Sequence, residues 1–276
     1  MKIVTVIGNR PQFVKAAAVP RLLRERHDEL LVHTGQHYDD ELSTVFIEEL
    51  GIPRPERELA IGGGSNTEQT ARMLSALGPL LEEQRPGALL VYGDTNSTLA
   101  GGLAAAQRLI PVAHVEAGMR SFDRAMPEEL NRVLTDHLSS LLLCSTSTAV
   151  ENLHREAAIG RVELVGDVMA DISAAIRPRA AADDAPLERA GVQPGAYLLA
   201  TAHRAGNVDD PVPLASLVEV LGAVDEPLLL PPPPRTHARP EAPGLRGRQP
   251  AHPHARPVGW PSELQHGHAR PAARPA

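Results

Sequence analysis

Cysteine is almost missing from this 276-residue sequence, where Cys144 stands alone. One thiol cannot build a disulfide framework or a cysteine-based zinc cluster. Lysine is nearly as scarce: among 27 basic residues only Lys2 and Lys15 are not arginine. An internal lysine in such a chain points to a use for its amine, although codon drift would leave the same trace. Aromatic residues make up only 3%. No apolar run approaches the roughly 20 residues of a membrane-spanning helix. The opening MKIVTVIGNR runs from one lysine through a strand-like stretch to an arginine, unlike a signal peptide. These absences predict a soluble, cytoplasmic protein with no membrane partner.

Several motifs are also missing. No G-x-G-x-x-G follows the first predicted strand, so a nicotinamide cofactor has no support. Gly62-Gly63-Gly64-Ser65 lacks the lysine of a P-loop and reads as a loop. There is no G-x-S-x-G and no H-E-x-x-H. The expectation is a protein with no cofactor and no catalytic metal. The net charge is −7, and the segment from Pro227 to Ala276 carries about +5 of it, which leaves about −12 on residues 1–226. A body so acidic has no broad attraction for nucleic acid, and an anionic ligand would need a few locally placed cations.

What is present is an alternation of strands and helices, with 42% hydrophobic residues to build a core. Residues 2–8, 29–35, 88–94, 112–118, 141–146 and 162–166 read as buried, β-branched or leucine-rich strands. Helices are predicted at 11–27, 40–50, 67–84 with Thr67 as its cap, 95–108, 127–139 and 148–157. This rhythm predicts a parallel sheet covered on both faces. A linker at 177–194 precedes a second, shorter rhythm: a strand at 196–203, a helix at 211–222 and a stub of strand at 227–230. Half of the 26 prolines fall in the last fifty residues, where no period survives. Such a segment cannot build a core and is expected to be disordered. A proline-rich partner ligand and an out-of-frame product are both readings of it.

Ligands of open parallel sheets bind beyond the carboxyl ends of the strands. The unusual polar residues sit at those ends: Arg10 and Lys15 after the first strand, Asp94 after strand 88–94, and His114, Glu116 and Arg120 on and after strand 112–118. Glu128, Glu129 and Arg132 open the following helix, and His203 ends the first strand of the second rhythm. Each has a plainer reading. Asp94 suits a helix cap. Glu116 suits burial against an arginine. Glu128 and Glu129 suit a helix start, and Glu128–Arg132 has the spacing of a surface ion pair. His203 suits a satisfied strand end. Taken together, three carboxylates, a histidine and several cations at one sheet edge suit acid–base chemistry on an anionic ligand.

The segments GNRPQFVKAAAV (8–19), HTGQHYDD (33–40), VYGDTNSTLA (91–100), HVEAGMRSFDRAMPEELNRVLTDH (114–137), VGDVMAD (165–171) and TAHRAGNVDDP (201–211) together resemble the non-hydrolysing UDP-N-acetylglucosamine 2-epimerases. The resemblance covers about residues 2–226 and implies an α/β fold of two Rossmann-like domains in the glycosyltransferase type B arrangement, the second incomplete. The implied division is residues 1–168 with the catalytic acids, 169–230 as a partial second domain, and 231–276 as the tail. The implied chemistry removes the C2 proton of a UDP-HexNAc as UDP leaves C1, then re-adds UDP across the resulting glycal. By resemblance Asp94, Glu116 and Glu128 are the catalytic acids, His203 is a catalytic or phosphate-side histidine, Arg10 and Lys15 bind substrate, and Arg132 supports the acids. A UDP-sugar partner, a homodimer and a role in cell-envelope polysaccharide follow from the same likeness.

Two departures from the family pattern stand out. His203-Arg204-Ala205-Gly206-Asn207 has glycine where the family carries a glutamate, and the later D-S-G-G-x-Q-E-E segment is absent. The chain as written is therefore expected to lack most of its nucleotide site and to be inactive. A UDP-diacetamido-uronic acid 2-epimerase, a hydrolysing relative, a glycosyltransferase of the same architecture and a catalytically dead UDP-sugar-binding protein are the alternatives.

Overall fold

The computed structural model describes residues 1–36, 50–201 and 211–229, with only the backbone at Arg10. The chain divides into two compact units, Met1–Ile172 and Ser173–Ala276.

The first unit is built on strands β1 (Lys2–Ile7), β2 (Asp28–His33), β3 (Arg57–Glu58), β4 (Ala88–Tyr92), β5 (Val112–Ala117), β6 (Leu141–Cys144) and β7 (Arg161–Leu164). They form one sheet in the order β3-β2-β1-β4-β5-β6-β7, and every pair is parallel. This is the Rossmann order extended by one strand, with its switch point between β1 and β4. β1 places Val6 opposite Val91, and β4 places Tyr92 opposite Val115. The carboxyl ends of β1, β4 and β5 therefore lie side by side.

Helices α1 (Arg10–Ala16), α2 (Pro20–Arg24), α3 (Asn66–Gln84), α4 (Asn96–Ala106), α5 (Pro127–Leu138) and α6 (Ser147–Arg155) connect these strands. Several open on side-chain caps. Asn9 caps α1 with its side chain on the Gln12 N–H. Ser65 and Glu68 close a reciprocal capping box at α3, and Thr95 and Thr98 do so at α4. The main core lies between the sheet and α3 and α4, where Val4, Val6, Leu89 and Val91 meet Met73, Leu77, Leu81, Ala100 and Ala104. On the other sheet face Phe13 of α1 is buried with its ring 5.0 Å from that of His33.

Three expectations need correcting. Residues 11–27 are two helices, because Pro20 has no N–H to continue the first one and instead opens the second. The cap of α3 is Ser65, two residues before Thr67, since its hydroxyl reaches the Glu68 N–H. The stretch 177–194 is largely helical: α7 (Val168–Ala181) runs through Pro178, and α8 (Ala185–Ala190) ends on Gly191 in the left-handed conformation. The predicted helix at 40–50 lies, apart from its last residue, outside the described residues.

In the second unit, β8 (Leu198–Leu199) and β9 (Leu228–Leu229) pair in parallel and are joined across α9 (Pro211–Gly222). This is a minimal βαβ unit. The predicted helix at 211–222 matches α9. The tail from residue 231 lies outside the described residues.

Candidate active site

Glu116 occupies the most unusual backbone in the sheet. It lies in β5 at φ +71°, a left-handed conformation that costs a non-glycine residue of order 1–3 kcal/mol. The ladder to β6 shifts register between Val115 and Ala117, so Glu116 is the extra residue of a bulge. The bulge re-aims its carboxylate, which takes an ion pair from Lys15 of α1. Glu116 thus pairs with the lysine singled out by its rarity rather than with an arginine.

Gly93, just past β4, makes room for this pair. A side chain there would put its first carbon 2.9 Å from Lys15 Nζ and 3.2 Å from Glu116 Oε2, and φ is +62°. The Gly93 N–H continues the ladder to the Val115 carbonyl at 3.0 Å. Asp94 follows at once. It does not cap α4, because Thr95 does. Its Oδ2 instead lies 2.5 Å from Arg132 Nη2, and its side chain stays about one third exposed. A carboxylate oriented by an arginine yet still open to solvent can meet a bound ligand.

Arg132 also lies 3.1 Å from Glu129, one turn earlier on α5. Glu129 is buried and accepts hydrogen bonds from the Ser121 N–H and hydroxyl and the Phe122 N–H, at 2.9 to 3.0 Å. Burial pushes its pKa up, but those three bonds and the Arg132 charge outweigh it and hold the group below the ordinary range. Glu128 is not held in this way. It is exposed in the first turn of α5 and has no hydrogen-bond or ion-pair partner among the described residues. The expected Glu128–Arg132 surface pair is not formed, because Arg132 turns to Asp94 and Glu129.

Sequence reasoning missed the residues that brace this edge. Gln12 accepts from the Gly8 N–H at 2.7 Å and donates to the Tyr92 carbonyl at 2.8 Å, tying the ends of β1 and β4 together. Asn131 donates to the Asp94 carbonyl at 3.0 Å and to Asn96 at 3.2 Å, and Asn96 donates to Asn66 and Gln69 at 3.0 Å. Asp136 is buried against His114 and Arg120. A usable signal was present for Asp136: it stands four residues after Arg132 and eight after Glu128, on one face of α5.

The structure therefore brings Lys15, Glu116 and Gly93 together, and joins Asp94 to Arg132. It sets Glu128 on the exposed start of α5. Arg10 opens α1, immediately past β1, and only its backbone is described. His203 lies outside the described residues. Among the described residues no group of three His, Cys, Asp or Glu side chains is arranged to hold a metal ion.

The fold and this site define a Rossmann-type α/β protein whose switch point carries carboxylates and cations in place of a glycine-rich dinucleotide loop. The sequence pattern of the UDP-N-acetylglucosamine 2-epimerase family matches residues 21–246, and the chain belongs to that family. It is 46% identical over 254 residues to the UDP-2,3-diacetamido-2,3-dideoxy-D-glucuronate 2-epimerase of Pseudomonas aeruginosa, covering 89% of this chain and 70% of that protein. It is 42% identical over 225 residues to the UDP-N-acetylglucosamine 2-epimerase of Methanocaldococcus jannaschii, covering 79% of this chain and 61% of that one. It also resembles the crystal structure of the Methanocaldococcus jannaschii UDP-GlcNAc 2-epimerase in complex with UDP-GlcNAc and UDP. That likeness has a TM-score of 0.83 at 36% identity and covers 96% of this chain and 75% of the other.

Proposed function

We propose that the first unit supplies the acid–base half of a UDP-sugar 2-epimerase. In the forward step a carboxylate takes the C2 proton while the C1–oxygen bond breaks. The electron pair of the C2–H bond becomes the C1–C2 double bond of a glycal, and UDP leaves with the bonding electrons. In the return step UDP re-forms the C1–oxygen bond and a carboxyl group delivers a proton to the opposite face of C2. Asp94, Glu116 and Glu128 are the proton-handling groups. Arg132 supports and orients Asp94. Arg10 and Lys15 bind the substrate, and His203 serves the catalytic or phosphate side. Two carboxylates with unequal surroundings can divide the acid and base roles.

The observation that carries this reading is Glu116, held in strained backbone at a strand end beside Lys15. A packing role alone does not require that strain. The same reading makes the protein a cytoplasmic homodimer that needs no cofactor. The 46% identity to the Pseudomonas relative favours a UDP-diacetamido-uronic acid as the second candidate substrate.

A chimera that joins residues 1–172 to the C-terminal part of the Pseudomonas relative tests the chemistry. In D₂O it should place deuterium at C2 of both epimers of one of the two candidate UDP-sugars. Retention of the original hydrogen during epimerisation points to internal hydride transfer and overturns the proposal. Release of free sugar points to a hydrolase. Binding of the UDP-sugar with neither exchange nor turnover points to a catalytically dead binding protein.

A further inference from the structure

His114 and Asp136 are fully buried beneath the acids, and the elimination chemistry uses neither. Asp136, near the end of α5, receives three donors. His114 Nδ1 lies 2.7 Å from Oδ1, while Arg120 Nη1 at 2.7 Å and the Gly118 N–H at 3.1 Å meet Oδ2. Gly118 can offer its N–H because it is glycine at φ +77°, where a side chain would lie 2.3 Å from the Ala149 carbonyl oxygen. The other nitrogen of His114 lies 2.7 Å from the Gly93 carbonyl oxygen.

We propose that Asp136 is the positioning residue of this acid site. Through His114 and Gly118 it clamps both ends of the segment that holds Glu116 in its left-handed backbone, and through His114 it fixes the Gly93 carbonyl that precedes Asp94. The proposal rests on reading Glu116 and Asp94 as proton-handling groups.

The chemistry of the clamp is constrained. A carbonyl oxygen can only accept, so His114 Nε2 carries a proton. Asp136 already accepts from an arginine and a backbone N–H, so it is a carboxylate and Nδ1 donates to it. Burial alone would push the Asp136 pKa up, but His114 and Arg120 outweigh it and hold it low. Both ring nitrogens of His114 therefore face acceptors. Arg120 also reaches Glu156 at 2.6 Å, and His137 Nε2 lies 3.7 Å from the same carboxylate. The Cys144 thiol, pushed up to about 11 by burial and by Asp136, stays neutral. A cluster that only filled the core would not need both its ends on the backbone flanking the two acids.

The test uses the chain as it exists and reads backbone and ring protons rather than turnover. Nitrogen NMR of the folded protein should show both His114 ring nitrogens hydrogen-bonded, Nδ1 to the Asp136 carboxylate and Nε2 to the Gly93 carbonyl. A ring nitrogen without its hydrogen bond overturns the clamp. Asp136→Asn presents an NH₂ group to at least one of the three donors. It should speed amide exchange tenfold or more at residues 93–95 and 115–121, and less than twofold in β1 and in residues 88–91 of β4. Unchanged exchange at the clamped segments, or equal loss throughout the sheet, overturns the proposal. If that variant does not fold, His114→Asn replaces it. It removes only the span to Gly93, so 93–95 should loosen while 118–121 stays protected. Protection that persists at 93–95 overturns the proposal as well. Failure of the elimination reading would be separate: no deuterium at C2 in the chimera, with these signals intact.

Discussion

At the scale of single residues, three carboxylates hold different positions and should respond differently. Glu116 is strained and paired, Asp94 is paired and about one third open, and Glu128 is exposed. In the chimera, Glu116→Gln, Asp94→Asn and Glu128→Gln should each lower turnover by about 10²-fold or more, the scale of acid–base catalysis. Circular dichroism should show the fold intact, and near-normal rates in all three would remove the assignment. Glu129 should behave otherwise, because its role is to hold the turn at Ser121 and Phe122. Its pKa and that of Asp136 are depressed in the folded state. Their stabilisation is complete above the unfolded carboxylate pKa of about 4 and is lost as pH falls through the lower folded values. Urea midpoints should therefore drop on acidification below about pH 4, and Glu129→Gln should flatten part of that drop.

The same pair shows what was legible from the residues. A Pro-Glu-Glu helix start announces acids near a strand end. It does not say which of two adjacent glutamates turns inward, because neighbours on a helix point about 100° apart and either orientation fits. Lys15 and Glu116 were both legible as unusual. Their contact was not, because it depends on a one-residue bulge in β5 that leaves no mark in the pattern of side chains.

At the scale of elements, periodicity located the strands well, since buried parallel strands are short runs of Val, Ile and Leu bounded by Gly and Asp. Prolines were read less well. Pro20 divides a helix while Pro178 lies within one, and both look alike in one dimension. Helix α5 repays attention as a unit. Glu128, Arg132 and Asp136 follow at four-residue steps, so one face carries an exposed acid, a bridging cation and a buried anion along the ends of β4 and β5. Helices α3 and α4 instead supply bulk. Leu77 is fully buried against the sheet, and Leu77→Ala should cost about 2–5 kcal/mol in urea unfolding. A smaller loss would mean that α3 packs more loosely than its burial indicates.

At the scale of the whole molecule, the two units differ in how much they bury. The first has a seven-stranded sheet with helices against its core strands. In the second, α9 has no buried residue, and Val212 and Val220 are well exposed. Two-residue strands give a helix little surface to cover. Limited proteolysis should therefore leave a resistant fragment that ends between about residues 165 and 195, identified by mass spectrometry. A resistant fragment that extends through α9 would contradict this difference in burial.

The side-by-side pairing of β4 and β5 has a further consequence. The backbones that carry Asp94 and Glu116 are joined by ladder bonds, from Leu89 opposite Val112 up to the Gly93 N–H on the Val115 carbonyl. The strands that lead to them are thus held at the repeat of a parallel sheet, about 4.8 Å, whatever the size of the apolar side chains along them. Leucine can drift to isoleucine or valine along either strand, and both ends will move together. The footing from which the two acids project is a unit of length built from peptide groups, and exchanging one apolar side chain for another leaves it unchanged.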